Sequence, residues 1–452
     1  MIPADLVFFS ISILVSGLIG FWIVDLLFPR NYPRWLVLAF APLTGFGICA
    51  FILLFFRRPM FTVEAVLIVI LLSLWVRYRR SSISELRSLC TTRVSILTLL
   101  FAVTLGWAVA ITASRVERYP NGMTDGWAIW NSHAKYLASG GYSWRRDIEN
   151  TFHPDYPLLV PGILAHGWRY IGSKPPDASG FMGILFGLAG IAILAATLTR
   201  LQRSAIGCLM AFVLIGTPFY LYHSTTGYAE VPLSAYILST IALIVLYDYE
   251  ASKPKGLIVL AGFMAGCAAW TKNEGVPFML LTAGILCLSV FRRPSMTLRR
   301  FGGFAVGLLL PLAAIAYFKL TAARPTDLFE ARNSAELMAK IMDPQRYIFI
   351  LKGFRHTLRV FGGWIFNPVF LILPFIALSG VDRSILKSFS WRAGVAIVVL
   401  LQLTYFAIFV ITPLDLTYHI DSALDRLLLH CWPAFLLLAG MSAQKSNSLE
   451  HS

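Results

Sequence analysis

Four basic side chains at 352–359 have types and spacing that could do chemistry, and they form the densest cationic cluster of the segments that the topology below places on the outward side. Lys352, Arg355, His356 and Arg359 recur at helical spacing and would share one face of a helix. Guanidinium groups suit the oxygens of a phosphate. A basic stripe that touches anionic lipid headgroups is an equally open interpretation.

Two further cations, Lys272 and Arg426, lie beside long apolar runs. An ionised group next to a membrane span is costly unless it has a partner or a function. Glu274 and Asp425 are the neighbouring acids, so mutual neutralisation is one explanation for these cations. Binding of an anionic substrate is the other.

The composition indicates which elements must position these residues. The chain has 452 residues, of which 57% are hydrophobic and only 13% are charged, and its mean hydropathy is +0.71. Soluble domains carry about 25% charged residues, so a soluble multidomain protein and a disordered chain are both excluded. The net charge of +15 lies mostly in short clusters between apolar runs. Such clusters are typical of the cytoplasmic loops of a polytopic membrane protein and argue against nucleic-acid binding.

The six cysteines form no CxxC pair, and five of them fall in apolar runs. This pattern predicts neither a disulfide framework nor a cysteine-based metal knuckle.

Thirteen apolar runs could cross a bilayer, for which a helix needs about 20 residues. They lie at 4–28, 35–56, 61–77, 94–113, 178–199, 204–222, 230–247, 257–271, 275–291, 301–320, 360–379, 394–412 and 427–441. The basic segments at 77–93, 200–203, 292–300 and 383–392 can all be cytoplasmic if 156–172 is a half-buried interfacial helix. The N-terminus then faces outward.

This topology divides the chain into five parts. They are N-terminal helices with a basic loop (1–93), a core (94–320), an outward loop with a basic helix (321–359), C-terminal helices (360–441) and a tail (442–452). The first outward loop, 114–156, is long enough to predict a function.

An amphipathic helix is predicted at 124–137 in that loop. Trp127, Trp130, Ala134 and Leu137 repeat at helical spacing on one face. Asp125 stands at the start of the helix, and taken locally it is an N-cap. A proline-punctuated segment, 151–159, follows and contains His153 and Asp155.

The acid-led helix and the His-Pro-x-x-Pro-Leu sequence after it resemble the first outward loop of the GT-C-fold glycosyltransferases. That family includes protein O-mannosyltransferases, lipid A aminoarabinose transferases and the oligosaccharyltransferase catalytic subunit. Three later segments resemble further family motifs in the same order: Thr225–Leu233, the glycine-rich 262–275 containing Thr271-Lys272, and Asp425–Pro433. The resemblance covers about residues 94–441. It departs from the family pattern at Gly126, where many members have a second acid.

The resemblance implies an all-α polytopic membrane protein with the GT-C fold, about 13 transmembrane helices and outward interfacial helices. It implies transfer of a sugar from a polyprenyl-phosphate donor to a glycan, lipid or protein acceptor on the outer face of the bacterial inner membrane, with inversion. Asp125 would act near the acceptor hydroxyl, and Glu230 would be a second acid or a metal ligand. A divalent metal is compatible with these oxygen donors, and no other cofactor is expected.

The remaining candidate residues bind the substrates. The resemblance favours Arg426 and Lys272 for the donor phosphate, and the basic cluster described above adds Lys352, Arg355 and Arg359. A second set, Lys135, His153, Asp155 and His356, would contact substrate. Membrane lipids are expected partners, and nucleic acid is not.

Two other functions are consistent with the same membrane spans and charged residues. An O-antigen ligase or polysaccharide polymerase would centre on the loop at 321–359 and would not need Asp125. A lipid flippase or transporter would place paired charges at mid-membrane, whereas this chain concentrates its charges at helix ends.

Overall fold

The computed structural model describes residues 3–79, 96–139, 143–289, 294–324, 334–364 and 367–444. Within these ranges the chain is all-helical, with 20 α-helices and no β-strand. The first ten helices are α1 (Pro3–Leu27), α2 (Arg34–Phe55), α3 (Met60–Arg79), α4 (Ile96–Arg118), α5 (Ser132–Ala138), α6 (Trp144–Glu149), α7 (Leu159–Ile171), α8 (Ala178–Arg200), α9 (Ser204–Ile215) and α10 (Pro218–His223). The other ten are α11 (Glu230–Tyr249), α12 (Lys255–Thr271), α13 (Gly275–Leu288), α14 (Pro294–Thr321), α15 (Ser334–Met342), α16 (Pro344–Val360), α17 (Val369–Ser379), α18 (Arg383–Lys387), α19 (Phe389–Ile411) and α20 (Leu416–Ser442).

Nine helices in the described ranges are long and apolar enough to cross a membrane, which identifies a polytopic membrane protein. They are α1, α2, α3, α4, α8, α11, α14, α19 and α20. Four shorter apolar helices, α9, α12, α13 and α17, account for the other four predicted runs. In the run at 360–379, α16 ends at Val360, Gly362 and Gly363 take positive φ angles, and α17 begins only at Val369. The count of 13 crossings stays a prediction.

Helix α11 lies at the centre of the bundle. Every residue from Glu230 to Tyr247 is buried, and α8, α12 and α20 pack around it. The apolar surface of α11 is therefore covered by protein on all sides, and its first residue, Glu230, begins inside the fold.

The two ends of the bundle collect different charges. One end, here called the basic end, holds the ion pairs Arg200–Glu250, Arg203–Asp382 and Arg300–Asp248. The opposite end, here called the site end, holds Asp125, Glu230, Lys272 and Arg426. The predicted basic segments at 200–203, 292–300 and 383–392 thus meet at one end where they are described. Arg80, Arg87, Arg93, Arg292 and Arg293 lie outside the described residues.

The glycine-rich run of α12 packs directly against the backbone of α14. A Cβ atom on Gly262 would lie 1.9 Å from the carbonyl oxygen of Phe304, and one on Gly307 would lie 1.9 Å from that of Val259. Small residues allow such close helix contacts in membrane proteins. The run is therefore a packing motif, and it fixes the position of the α12 end that carries Lys272.

Two local predictions, for 156–172 and for 124–137, are only partly correct. The segment 156–172 does form a helix, α7, which at 13 residues is too short to cross a membrane, but its residues from Leu159 to Trp168 are all buried. Neighbouring helices α1, α2 and α5 cover it, so it is buried in protein rather than half-buried.

The predicted amphipathic helix at 124–137 is divided into a π-helical turn, Gly126–Asn131, and α5. Trp130, Ala134 and Leu137 are buried as expected, but Trp127 is 55% exposed. The wider i→i+5 turn rotates Trp127 away from the face that follows. The buried face therefore contains Trp130, Ala134 and Leu137 but not Trp127, which the periodicity had placed on it.

Candidate functional site

Arg426 lies at the centre of the candidate site, in the half of α20 nearest the site end. Its Nε and Nη2 donate to Glu230 Oε1 at 2.8 and 2.5 Å. Nη2 also donates to Asp125 Oδ2 at 2.8 Å, across 301 residues of sequence. The guanidinium further lies over the ring of Tyr228, with Cζ 4.8 Å from the ring centroid. The structure therefore brings together both carboxylates that were predicted to be catalytic and the arginine predicted to hold phosphate.

Glu230 anchors two cations. Its Oε1 accepts from Lys272 Nζ at 3.1 Å as well as from Arg426, and the side chain is fully buried. Its other oxygen, Oε2, is buried and has no partner among the described residues. A buried carboxylate with one unfilled oxygen can accept a hydrogen bond from water or from a substrate hydroxyl.

Lys272 forms a second ion pair, with Glu274 Oε1 at 2.8 Å. Burial lowers the pKa of Lys272, but the attraction of Glu230 and Glu274 outweighs it and holds that pKa above its ordinary value. Burial raises the pKa of Glu274, but Lys272 outweighs this and holds it below its ordinary value. Both groups are therefore ionised at neutral pH, and the predicted neutralisation of Lys272 by its neighbour is confirmed.

The predicted neutralisation of Arg426 by its neighbour Asp425 is wrong. Its carboxylate accepts from the backbone N–H of Arg426 at 2.7 Å, while the guanidinium turns to Glu230 and Asp125. Adjacent residues on a helix do not face each other. The guanidinium therefore pairs with acids from other elements rather than with its sequence neighbour.

The backbone of the loop before α5 positions Asp125. The N–H of Met123 donates to the carbonyl of Thr226 at 3.0 Å. The same carbonyl would lie 2.3 Å from a Cβ atom on Gly126, so the residue after the acid must be small. The Asp125 side chain caps no backbone N–H of the following turn, and the N-cap interpretation is wrong. Its carboxylate bonds Arg426 and remains 31% exposed.

A tight reversal between α12 and α13 presents Lys272 and Glu274. A Cβ atom on Gly275 would lie 1.9 Å from the carbonyl oxygen of Ala268, so the reversal requires glycine there. Asn273, in the same reversal, donates to Asp155 Oδ2 at 2.6 Å. Asp155 is buried, and this bond joins its segment to the reversal.

Lys319 of α14 completes that contact. Its Nζ donates to the backbone oxygen of Asp155 at 2.6 Å and to Asn273 Oδ1 at 3.2 Å. These contacts give Asp155 a positioning role at the edge of the site. Asn273 and Lys319 were missed, although Asn273 stands directly after Lys272 in the sequence.

Two other predicted substrate residues, Lys135 and His153, do not contact the carboxylate cluster directly. Lys135 is exposed. His153 is also exposed, takes a φ of +50° and stacks on Tyr156 with ring centroids 4.6 Å apart. Neither side chain forms a hydrogen bond or ion pair with Asp125, Glu230, Lys272 or Arg426 in the described structure.

The basic stripe of α16 also makes no contact with the cluster. Its four side chains are exposed on the surface. A Cβ atom on Gly353 would lie 2.9 Å from Ile420 Cγ2, and the ring centroids of Phe361 and Trp432 are 5.4 Å apart. Helix α16 therefore runs beside the part of α20 that contains Arg426, and its roles in phosphate or lipid binding stay predictions.

Asn131 is a further polar group that the sequence did not single out. Both its amide atoms, Nδ2 and Oδ1, are buried without a partner in the described chain, as is Nε1 of Trp130. The two residues line a small cavity with Tyr228, which also contacts Asp125 and Arg426. Buried polar atoms without partners are uncommon, and this cavity suits a water molecule or one substrate hydroxyl.

Comparison with known proteins finds no family model, no curated protein and no solved structure that matches the chain. Interpretation of the site therefore depends on the contacts above and on the resemblance of the sequence motifs.

Loss of the negative charge of Glu230 should lower the stability of the folded protein. We expect Glu230→Gln to destabilise the fold by about 3 kcal/mol, because it leaves Lys272 and Arg426 beside a neutral side chain that no longer balances them. Thermal or denaturant unfolding of the purified protein checks this. Glu117→Gln, which changes an exposed acid, is the matched control. Equal stability of both variants would contradict the anchoring role.

Acidification should weaken the Lys272–Glu274 pair. Because the pKa of Glu274 is lower in the folded than in the unfolded chain, the pair stabilises the fold above the unfolded value, about 4.3, and this contribution is lost as the pH falls through the folded value. We expect wild type to be more stable than Glu274→Gln at pH 7, and the difference in Tm to shrink below about pH 4. A difference that stays constant across this range would contradict the prediction.

Proposed function

We propose that the chain is a membrane glycosyltransferase of GT-C type. It moves a sugar from a polyprenyl-phosphate donor to a glycan, lipid or protein acceptor on the outer face of the membrane, with inversion at the anomeric carbon. The observation that carries the proposal is Arg426, which joins Asp125 and Glu230 at one end of the bundle. These residues come from three motifs that the resemblance to the GT-C family had already assigned to one site.

Arg426 is suited to the leaving phosphate. Its side chain is 22% exposed, and its Nη1 has no partner among the described residues, since only Nε and Nη2 are bonded. An arginine that two carboxylates hold in place presents a fixed donor edge, and such pre-positioned charge stabilises developing negative charge. Lys272 also pairs with Glu230. The negative charge of Glu230 is therefore shared between two cations and is not spent on Arg426 alone.

Asp125 is suited to the acceptor. It is the more exposed of the two predicted carboxylates, and its Oδ1 has no partner in the described structure. The acceptor oxygen attacks the anomeric carbon, the bond from that carbon to the phosphate oxygen breaks, and Asp125 takes the acceptor proton. The electron pair of the broken bond stays on the phosphate, where Arg426 stabilises it.

A metal ion at the two carboxylates is not required for this chemistry. Arg426 contacts both Asp125 and Glu230, and Lys272 contacts Glu230. Arg426 therefore occupies the position between the two carboxylates that a bridging divalent ion would take. We therefore propose Glu230 as the residue that positions the cations and Asp125 as the general base.

Full-length protein in detergent or nanodiscs tests the proposal directly. A panel of polyprenyl-phosphate sugars is supplied with candidate glycan, lipid and protein acceptors. We expect one donor to be consumed, with stoichiometric release of polyprenyl phosphate and an inverted linkage in the product. Failure to consume or bind any lipid-phosphate sugar would overturn the proposal and favour transport.

A further inference from the structure

Three side chains from three different helices converge at a second buried site. Cys49 of α2, Glu64 of α3 and His166 of α7 each offer one ligand atom, and these atoms all lie within 4.8 Å of one another. The three residues are 1%, 2% and 2% exposed. Among the described residues this is the one group of three such side chains close enough to share a metal ion.

The donor set has the chemistry of a zinc site. Thiolate, imidazole and carboxylate are the ligands that bind Zn²⁺ in proteins, usually in a tetrahedral arrangement. A mixed set with one thiol favours zinc over the hard ions calcium and magnesium, which prefer oxygen ligands. The surroundings are apolar: Cys49 packs with Ile19 and Leu71.

Hydrogen bonds join the members of this cluster and hold the Glu64 carboxylate in place. His166 Nε2 lies 2.6 Å from Glu64 Oε1, and the Tyr170 hydroxyl donates to Glu64 Oε2 at 2.5 Å. The Tyr170 hydroxyl is an outer partner of the kind that commonly fixes the orientation of a ligating carboxylate. The side chain of His166 also hydrogen-bonds Cys49, so the three side chains already contact one another directly, as ligands of one ion must.

We propose that Cys49, Glu64 and His166 bind one Zn²⁺ ion. On binding, the thiol of Cys49 releases its proton to solvent and the thiolate sulfur bonds the metal, together with a nitrogen of His166 and an oxygen of Glu64. The hydroxyl of Tyr170, which already contacts Glu64, or an enclosed water molecule would complete the coordination. The local spacing of the cysteines could not indicate this site, because each ligand comes from a separate helix.

The zinc ion would join α7 to α2 and α3. Helix α7 follows directly after the segment in which Asp155 bonds Asn273. The ion would therefore stiffen the support of the 272–274 reversal without touching substrate. It is a structural site, and it is independent of the proposed glycosyl transfer.

Metal analysis of the full-length protein, prepared without a polyhistidine tag, tests this proposal. After incubation with Zn²⁺ and removal of free metal, we expect about one zinc per chain in wild type and a background amount in Cys49→Ser, Glu64→Gln and His166→Ala. Cys267→Ser changes a buried cysteine outside the cluster and should retain the zinc. Chelation should lower the Tm of wild type and of Cys267→Ser only.

Cobalt provides a readout that does not depend on the folding of any variant. Wild type loaded with Co²⁺ should show the thiolate-to-metal charge-transfer absorption of a cysteine ligand. Wild type that takes up no zinc, or that shows no thiolate absorption with cobalt, would overturn the proposal. Equal zinc in wild type and Cys49→Ser would overturn it too.

Discussion

Arg426→Ala should reduce kcat/KM for glycosyl transfer by about 10²–10³-fold, the loss expected when one pre-positioned charge donor is removed from an active site. The alanine variant leaves the leaving phosphate without its guanidinium and leaves Asp125 without its fixed partner. Arg426→Lys should fall between wild type and alanine, because an ammonium keeps the charge but cannot bond Asp125 and Glu230 with the same planar fork. Steady-state rates with the identified donor, at equal amounts of folded protein, measure both effects.

Arg118→Ala is the matched control for the arginine variants, because it removes an exposed arginine at the end of α4. Its rates should stay within about twofold of wild type, as expected for a surface residue that forms no ion pair with Asp125 or Glu230 in the described structure. A normal rate in Arg426→Ala would contradict the proposed phosphate site.

Asp125→Asn should lower kcat by about 10²–10⁴-fold, the usual contribution of a general base, with little change in KM for the donor. Asparagine has nearly the same shape as aspartate, and its carbonyl oxygen can still accept from Arg426. The fold should therefore survive, and the loss should fall on proton transfer. Single-turnover rates with saturating donor and acceptor measure it.

The Asp125 variant also separates the rival enzymes. A ligase or polymerase centred on 321–359 would retain its activity in Asp125→Asn, and that result would overturn the assignment of the base. Asp421→Asn is the matched control, since Asp421 is an exposed acid on α20 near Arg426. Its rate should equal that of wild type.

The sequence alone indicated which charged residues of this mostly apolar chain need a partner or a function. Asp125, Glu230, Lys272 and Arg426 were selected because ionised groups at helix ends need a partner or a function, and the structure places all four in one network. Their partners could not be assigned in advance. Asp425 is adjacent to Arg426 and Glu274 lies two residues after Lys272, yet only Glu274 pairs with its cation.

Local periodicity failed where backbone geometry or tertiary contacts intervened. The π-helical turn at Gly126–Asn131 rotated Trp127 out of its predicted face. The segment 156–172, which forms α7, was expected at a membrane surface because it contains two prolines, a histidine and an arginine. It is buried because α1, α2 and α5 surround it, and no property of the segment alone indicates how many neighbours it has.

The sequence by itself determined that the chain crosses a membrane many times and that its few charges are concentrated at helix ends, because burial in an apolar medium penalises charge wherever it falls along the chain. Only the tertiary structure decided which of those charges meet. Arg426 and Asp125 are 301 residues apart, and Cys49, Glu64 and His166 come from three helices. Contacts of this kind depend on how helices pack against one another, and residue spacing along one helix carries no record of that packing.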